Sequence, residues 1–508
     1  MKNILKRIEK DRRNIICGAP EGVDATVLAA LAAEAGTRDV LMVARDAERA
    51  QRLADALSFF APEAHVVEFP AWDCLPYDRV SPNAAVAGAR LSALATLAAR
   101  APGENPVVVL TTAGALLQRV PPHEAFADLR RALKPGDHVA TEELARFLTR
   151  AGYHRIGTVM EPGDFAMRGD IIDIFPPGAE QPYRLDLFGD EVEQIRAFDP
   201  LTQRSSGKRD SALLTPASEV LLDEDTIARF RSGWRDLFGA SQGNDPVYEA
   251  ASSGNRISGL EHWLPLFYDR LEPITAYLCD PVMVLDHRVS DARDARLETI
   301  RDHYDHRRED RTGHLEDEAP TYRPVPPERL YLSELAWENL FADSLKVELS
   351  PFAEAAAGDA IVLEAGGRAG HDFAPERQRG DINLFDEVAR HIAGRQKENK
   401  RVLLSGLTSG SRNRLVRLLQ EHGAHEAAPV ETWPDAEELA PSTVAAAVLE
   451  LERGSETLDL AVITEQDILG DRITRPSRKR TKRDAERFLT EASQLAEGDL
   501  VVHVEHGI

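Results

Sequence analysis

The sequence predicts a multidomain α/β protein: a parallel-sheet domain with an inserted antiparallel β-rich domain, followed by a second small α/β domain and a basic linker. Three observations predict this. Short apolar strands alternate with helical patterns in both the first and the last thirds of the chain. Between Arg168 and Arg204 the pattern changes to period-two alternation punctuated by Gly and Pro. Finally, 508 residues are too many for one hydrophobic core, and ~150 residues per domain implies three or four domains.

The elements follow in order. Asn14-Ile15-Ile16-Cys17, a Gly/Pro loop and Ala25 to Ala35 read as strand, turn and helix. Val40 to Val43, His65 to Val67 and Val107 to Leu110 are further short strands, so residues 1–125 form the first α/β unit. Gly136-Asp137 marks a transition into a β-rich insertion spanning 126–212. Its clearest part is RGDIIDIFPPGAEQPYRLDLFGDEVEQIRAFDPLTQR, from Arg168 to Arg204, which reads as a three-stranded meander. Residues 213–345 return to complete the first domain and include a charged, Pro-rich stretch, HLEDEAPTYRPVPPERL, that reads as a loop. A second α/β unit spans 346–465, beginning with the strand Ala360 to Leu363 and continuing through Leu384 to Ile392, Arg401 to Leu404, Ser411 to His422 and Leu460 to Ile463. The basic linker, 466–496, contains ITRPSRKRTKRDAER, and residues 497–508 end on GDLVVHVEHGI. That ending holds one strand-like run without a partner strand, so it reads as a truncated domain.

A formal net charge of −24 argues against a protein that coats nucleic acid, because non-specific affinity comes from neutralising phosphates with Lys and Arg. Any DNA contact is therefore local, and its candidates are Arg478, Lys479, Arg480, Lys482 and Arg483 of the linker. The competing reading of that run is a solvated tether. Cys17, Cys74 and Cys279 have neither ligand nor disulfide spacing, and no apolar run approaches a membrane span, so the expected setting is the cytoplasm with no membrane partner.

A phosphate-binding P-loop requires G-x-x-x-x-G-K-[ST], whose amides cradle phosphate while Lys and the hydroxyl serve the phosphates and Mg²⁺. The first strand-to-helix loop has Gly18 and Gly22 one residue too close, lacks the Lys, and places Glu21 and Asp24 where phosphate would sit. It is the degenerate remnant of a nucleotide loop, and no cofactor is expected in this chain. Gly406 to Arg412 fails in the same way, and Asp317-Glu318 lies in a polar loop unsuited to a Walker-B strand. His303 and His306 fit a solvated helical face better than a metal site, while His503 and His506 fall on opposite faces of a strand. No nucleophile motif is present, so the chain by itself is expected to be non-catalytic.

In the insertion, alternation from Tyr183 to Phe188 puts Tyr183, Leu185 and Leu187 on one face and Arg184, Asp186 and Phe188 on the other. With the first face in the core, Arg184 and Phe188 stand outward together. Such a pair is either an ordinary solvated surface or an interface anchor.

The words of this block resemble the second domain shared by the transcription-repair coupling (Mfd) family and the excision-repair protein UvrB, which use it to bind UvrA. FPAWDCLPYDRVSPN, Phe69 to Asn83, with Ala89-Arg90-Leu91-Ser92 resembles the first-domain motif of both. Only about a dozen residues separate Tyr77-Asp78 from Arg90-Leu91, too few for UvrB's DNA-clamping hairpin, and the P-loop Lys is absent. Gly259 to Phe267, Leu458 to Arg472 and Gly498 to Ile508 resemble later parts of the coupling family, the last being the start of its RNA-polymerase-interacting domain. The first domain is then a degenerate helicase-like fold. The resemblance implies Arg168, Arg184 and Phe188 as UvrA contacts, with Asp186 as a supporting residue that orients Arg184. It further implies that the full-length protein binds stalled RNA polymerase and double-stranded DNA and translocates with ATP and Mg²⁺ in domains beyond this chain. Its C-terminal domain masks the UvrA surface, so this chain is expected to bind UvrA constitutively. The alternatives are a UvrB-like ATP-dependent damage clamp and a free-standing UvrA-binding adaptor.

Overall fold

The computed structural model describes residues 4–470, apart from 102, 104, 128, 240–244, 310–321, 343, 356–357, 380 and 423–425. The basic run with Arg478, Lys479, Arg480, Lys482 and Arg483, the His503/His506 pair, the terminal segment and Asp317-Glu318 lie outside the described residues.

The apolar runs near the N-terminus form β1 (Asn14–Cys17), β2 (Val40–Ala44), β3 (Val66–Phe69) and β4 (Val108–Thr112), alternating with α1 (Val23–Glu34), α2 (Ala47–Phe60) and α3 (Ala84–Ala98). Asp46 and Asn83 cap α2 and α3 by accepting from Arg49 N–H and Ala85 N–H. β5 (Arg131–Leu133) then opens the insertion, which holds β6 (His154–Arg155), β7 (Asp164–Arg168), β8 (Ile171–Ile174), β9 (Tyr183–Phe188), β10 (Glu191–Phe198) and β11 (Ser205–Arg209). The insertion closes with β12 (Ala212–Leu214), which pairs antiparallel with β5. Its sheet has six strands in the order β11-β10-β9-β8-β7-β6, so the meander expected from the sequence is only its centre. Arg168, expected ahead of the first strand, is the last residue of β7. The sequence signal faded there because β6 is two residues long and every residue of β11 is exposed, which leaves no apolar alternation to read.

After the insertion come β13 (Val282–Leu285), β14 (Lys346–Leu349) and β15 (Ile361–Glu364), all of which return to the first sheet. That sheet is parallel throughout, with strand order β15-β1-β14-β13-β2-β4-β3. The Ala360 to Leu363 run, expected to open the second α/β unit, is instead the edge strand beside β1. A four-residue apolar run states that it will pair but carries no address, and the parallel register with Asn14 to Cys17 supplied one. The second unit has β16 (Arg368–Ala369), β17 (Arg401–Gly406), β18 (Ala427–Pro429), β19 (Val444–Val448), β20 (Ser455–Glu456) and β21 (Leu460–Thr464), in the order β16-β20-β21-β17-β19-β18. Four of its strands are parallel, and the β16/β20 edge is antiparallel. No helix among the described residues is long and apolar enough to cross a membrane.

Two cores join these parts. One runs without a break from Phe69, Leu91 and Leu94 of the first domain into Phe165, Ile172, Leu185 and Ile195 of the insertion. The other joins Leu28, Leu53 and Leu57 to Leu403, Ala447 and Leu449 of the second unit. The insertion is seated closely on α3, where a Cβ on Gly88 would come within 2.6 Å of the Gly178 nitrogen.

A third, aromatic cluster contains Trp72, Tyr77, Trp234, Trp263 and Tyr331. His262 lies inside it, edge-on to Trp72 and stacked on Tyr77. Burial lowers its pKa to about 4, with Asp78 opposing the shift and Arg296 and Arg307 adding to it. The folded value lies below the unfolded one near 6.5, so the unfolded chain binds the extra proton between those values. The contribution of His262 to stability is therefore full above pH 6.5 and falls toward pH 4, by about 3 kcal/mol across the window. Urea midpoints measured from pH 7.5 to 4.5 should show this slope, and His262→Phe should flatten it.

Candidate functional site

The outer face of the insertion's sheet is built by register. Phe165↔Ile174 and Arg168↔Ile171 pair across β7 and β8, and Ile171↔Asp186 and Asp173↔Arg184 pair across β8 and β9. Arg196 stands opposite Arg184 across β9 and β10. Directly opposed residues share a face, so Arg168, Ile171, Asp173, Arg184, Asp186, Phe188 and Arg196 all lie on the face turned away from the core of Leu185 and Leu187, with Asp173 itself buried there. Leu185 and Leu187 point the other way, into the core, in agreement with the alternation.

Three side chains singled out by the sequence are thus on one face, but they differ in posture. Phe188, at the end of β9, is 79% exposed. Arg168 is also exposed and donates from Nε to the Gly157 carbonyl at 3.2 Å and from Nη2 to Thr158 Oγ1 at 3.1 Å. Arg184 lies down. Its Nε and Nη2 donate to the two carboxylate oxygens of Asp173 at 2.6 and 2.8 Å, Nη1 donates to the Gln203 carbonyl at 3.2 Å, and the guanidinium sits 4.6 Å from the Phe198 ring centre. The hydrogen bonds to Asp173 raise the Arg184 pKa against a smaller opposing effect of burial.

The supporting role expected of Asp186 goes to another residue. Asp186 accepts two bonds from Arg196, at 2.9 and 2.8 Å, while Arg184 is held by Asp173. The reason is register. Asp173 is the direct cross-strand neighbour of Arg184, whereas Asp186 is two residues along the same strand, and a directly opposed pair lies closer. Asp173 and Arg196 are therefore the residues that sequence reasoning missed. Their charge and strand positions were readable, but the long connection from Ile174 to Tyr183 left the register open.

The degenerate loop at β1 is filled by its own chain. Gly18 and Ala19 N–H groups donate to the Phe352 and Ser350 carbonyls, each at 2.9 Å, and Val23 and Asp24 N–H groups both donate to the Pro20 carbonyl. The Ala25 N–H donates to Asp24 Oδ1. A phosphate cradle would need such amides free. Asp24 is fully buried and ion-paired to Arg49, which also approaches Asp286 at 3.3 Å and Glu21 at 3.7 Å. Burial raises the Asp24 pKa and Arg49 pulls it down; burial also works against the Arg49 charge, yet its three carboxylates leave it raised overall. The second unit sits on this loop: the Glu452 N–H donates to Glu21 Oε2 at 2.8 Å, and a Cβ on Gly18, at φ 62°, would meet the Gly367 carbonyl at 3.0 Å. Among the described residues no group of three or more His, Cys, Asp or Glu side chains is arranged to hold a metal, and the helix carrying His303 and His306 contributes to none.

A parallel α/β domain interrupted by a mixed sheet with an arginine-lined, aromatic-tipped face defines a multidomain α/β protein with an inserted β-rich domain. Residues 132–220, from β5 to just past β12, match the UvrB interaction domain family. Along nearly its whole length the chain is similar to transcription-repair-coupling factors. It is 30% identical over 508 residues to that of Escherichia coli, covering 97% of this chain and 41% of the relative. The factor of Rickettsia bellii is 28% identical over 473 residues, covering 93% and 40%, and that of Bacillus subtilis 26% identical over 545 residues, covering 100% and 44%. The chain spans about two fifths of the length of these relatives.

Proposed function

We propose that this chain serves transcription-coupled nucleotide excision repair by recruiting UvrA through the outer face of the inserted sheet, with Phe188 as its apolar anchor and Arg168 and Arg184 as its cationic contacts. The observation that carries the reading is Phe188, a large aromatic side chain 79% exposed at a strand end within the segment that matches the UvrB interaction domain. Nothing in the packing of the described residues calls for an aromatic there, while aromatic and Arg anchors are the common hot spots of interfaces. Asp173 keeps Arg184 in a fixed position, and Arg196 pairs with Asp186 beside it. The first domain is, in this reading, a helicase-like fold whose nucleotide loop has become structural. Binding of stalled RNA polymerase and of double-stranded DNA, with ATP and Mg²⁺ used for translocation, is assigned to the full-length protein.

Phe188→Ala tests the anchor cleanly because the ring is so exposed. UvrA binding should weaken by roughly thirtyfold, corresponding to about 2 kcal/mol. The urea midpoint should not move. Undiminished capture of UvrA by the variant would remove this face from the interface.

A further inference from the structure

Where the insertion rejoins its host, the fold leaves a cavity of about 350 Å³. Three stretches of chain meet around it: Ala87 and Leu91 of α3, His154 of β6, and the returning segment with Val220, Arg256 and Glu261. Its charged groups fall into two sets. The basic set is Arg256 with His154. Arg256 Nη2 donates to the Val220 carbonyl at 2.8 Å, and a Cβ on Gly152 would come within 2.6 Å of that same nitrogen, so the guanidinium is fixed from behind. Among the described residues it makes no other hydrogen bond and no ion pair. Burial lowers its pKa, with Glu261 and then Tyr268 opposing. Burial and then the Arg256 charge lower the pKa of His154, with Asp164 opposing, so the ring lies within reach of the guanidinium. The acidic set is Glu219 with Glu261. Glu219 is already held, accepting from Arg90 Nε at 2.7 Å and from Trp72 Nε1 at 3.0 Å. Glu261 accepts from Ser81 Oγ at 2.7 Å and has no cation paired to it among the described residues. Burial raises its pKa, with Ser81 and Arg256 among the groups that oppose and Glu219 adding to the shift.

Arg256 and Glu261 therefore face one cavity without pairing to each other. Each carries a desolvation penalty that an opposite charge would offset. Ligand sites favour such junctions between domains and combine apolar walls with a few placed polar groups, and this volume is near the lower end of their range of ~300–1,000 Å³. The apolar wall here is Trp72, Leu91, Val220 and Leu260. We propose that the cavity binds a small apolar α-amino acid as its zwitterion, with the carboxylate on Arg256, the ammonium on Glu261 and the side chain against Trp72 and Leu260. A simple anion would meet Glu261 as a like charge, and a simple cation would meet Arg256. A peptide terminus carries only one of the two charges beside its side chain, so a free amino acid is the better fit.

The test uses the whole chain with L-leucine as the probe, followed by isothermal calorimetry and thermal unfolding. The expected result is saturable binding and a raised melting temperature. Isocaproate, which lacks the ammonium, and isoamylamine, which lacks the carboxylate, should each bind at least about tenfold more weakly. Glu261→Gln keeps an acceptor for Ser81; it should weaken L-leucine at least about tenfold without weakening isocaproate. Arg256→Gln should do the same to L-leucine without weakening isoamylamine. Ala87→Leu places a larger side chain on the cavity wall of α3 and should abolish binding with the urea midpoint retained, which keeps the test decisive if Arg256→Gln fails to fold. No saturable binding, as expected of a cavity that holds only water, would overturn the proposal. So would equal affinity for either half-ligand, or unchanged affinity for L-leucine in Glu261→Gln or Ala87→Leu.

Discussion

Arg184→Ala is expected to destabilise the insertion by about 3–5 kcal/mol and to reduce UvrA binding at the same time. Asp173 is only 2% exposed, and Arg184 supplies two of the hydrogen bonds that make its burial tolerable. Removing the guanidinium leaves a carboxylate with neither water nor a cation. Urea unfolding at pH 7.5 measures the loss. The paired variant Asp173→Leu/Arg184→Met should recover most of the stability, since replacing both members of a buried pair by apolar groups is nearly neutral. It should not recover UvrA binding. If it does, Arg184 acts on the partner only by holding the sheet together, and the contact belongs to Arg168 and Phe188.

The second large effect is expected at Arg49→Met. Asp24 is fully buried and Asp286 is 7% exposed, and Arg49 lies between them. Its loss should cost about 3–5 kcal/mol, with Arg45, 3.5 Å from Asp286, sparing only that carboxylate. The pH sign is again informative. Burial already raises the Asp24 pKa and Arg49 is its main restraint, so in the variant Asp24 should stay protonated further up the pH scale and the deficit should be smallest in acid. Adding Asp24→Asn to Arg49→Met should restore part of the lost thermal stability. An unchanged melting temperature in the single variant would mean that the ion cluster contributes nothing to holding the first loop.

Much of this organisation was legible in the sequence, and the legible part follows from periodicity. Tyr183 to Phe188 gave the two faces of β9 because side chains alternate whatever the strand pairs with. What stayed hidden was pairing. The assignment of Ile361–Glu364 to the first sheet, the choice of Asp173 over Asp186 as the partner of Arg184, and the union of β1, β13 and β14 in one sheet depend on contacts between residues far apart in the chain. Single-sequence patterns carry no information on such contacts when the strands are four to six residues long.

The insertion is joined to its host by adjacent strands, β5 and β12, so by covalent connection it is a cassette that could be lifted out. Its core, however, is continuous with Phe69 and Leu91, and its Pro177-Gly178 turn rests on Gly88 with no space for a methyl group. Packing therefore ties the insertion to its host. If a partner grips Phe188 as proposed, it holds the seven-stranded sheet through the same contact, and recruitment and aiming would be one event.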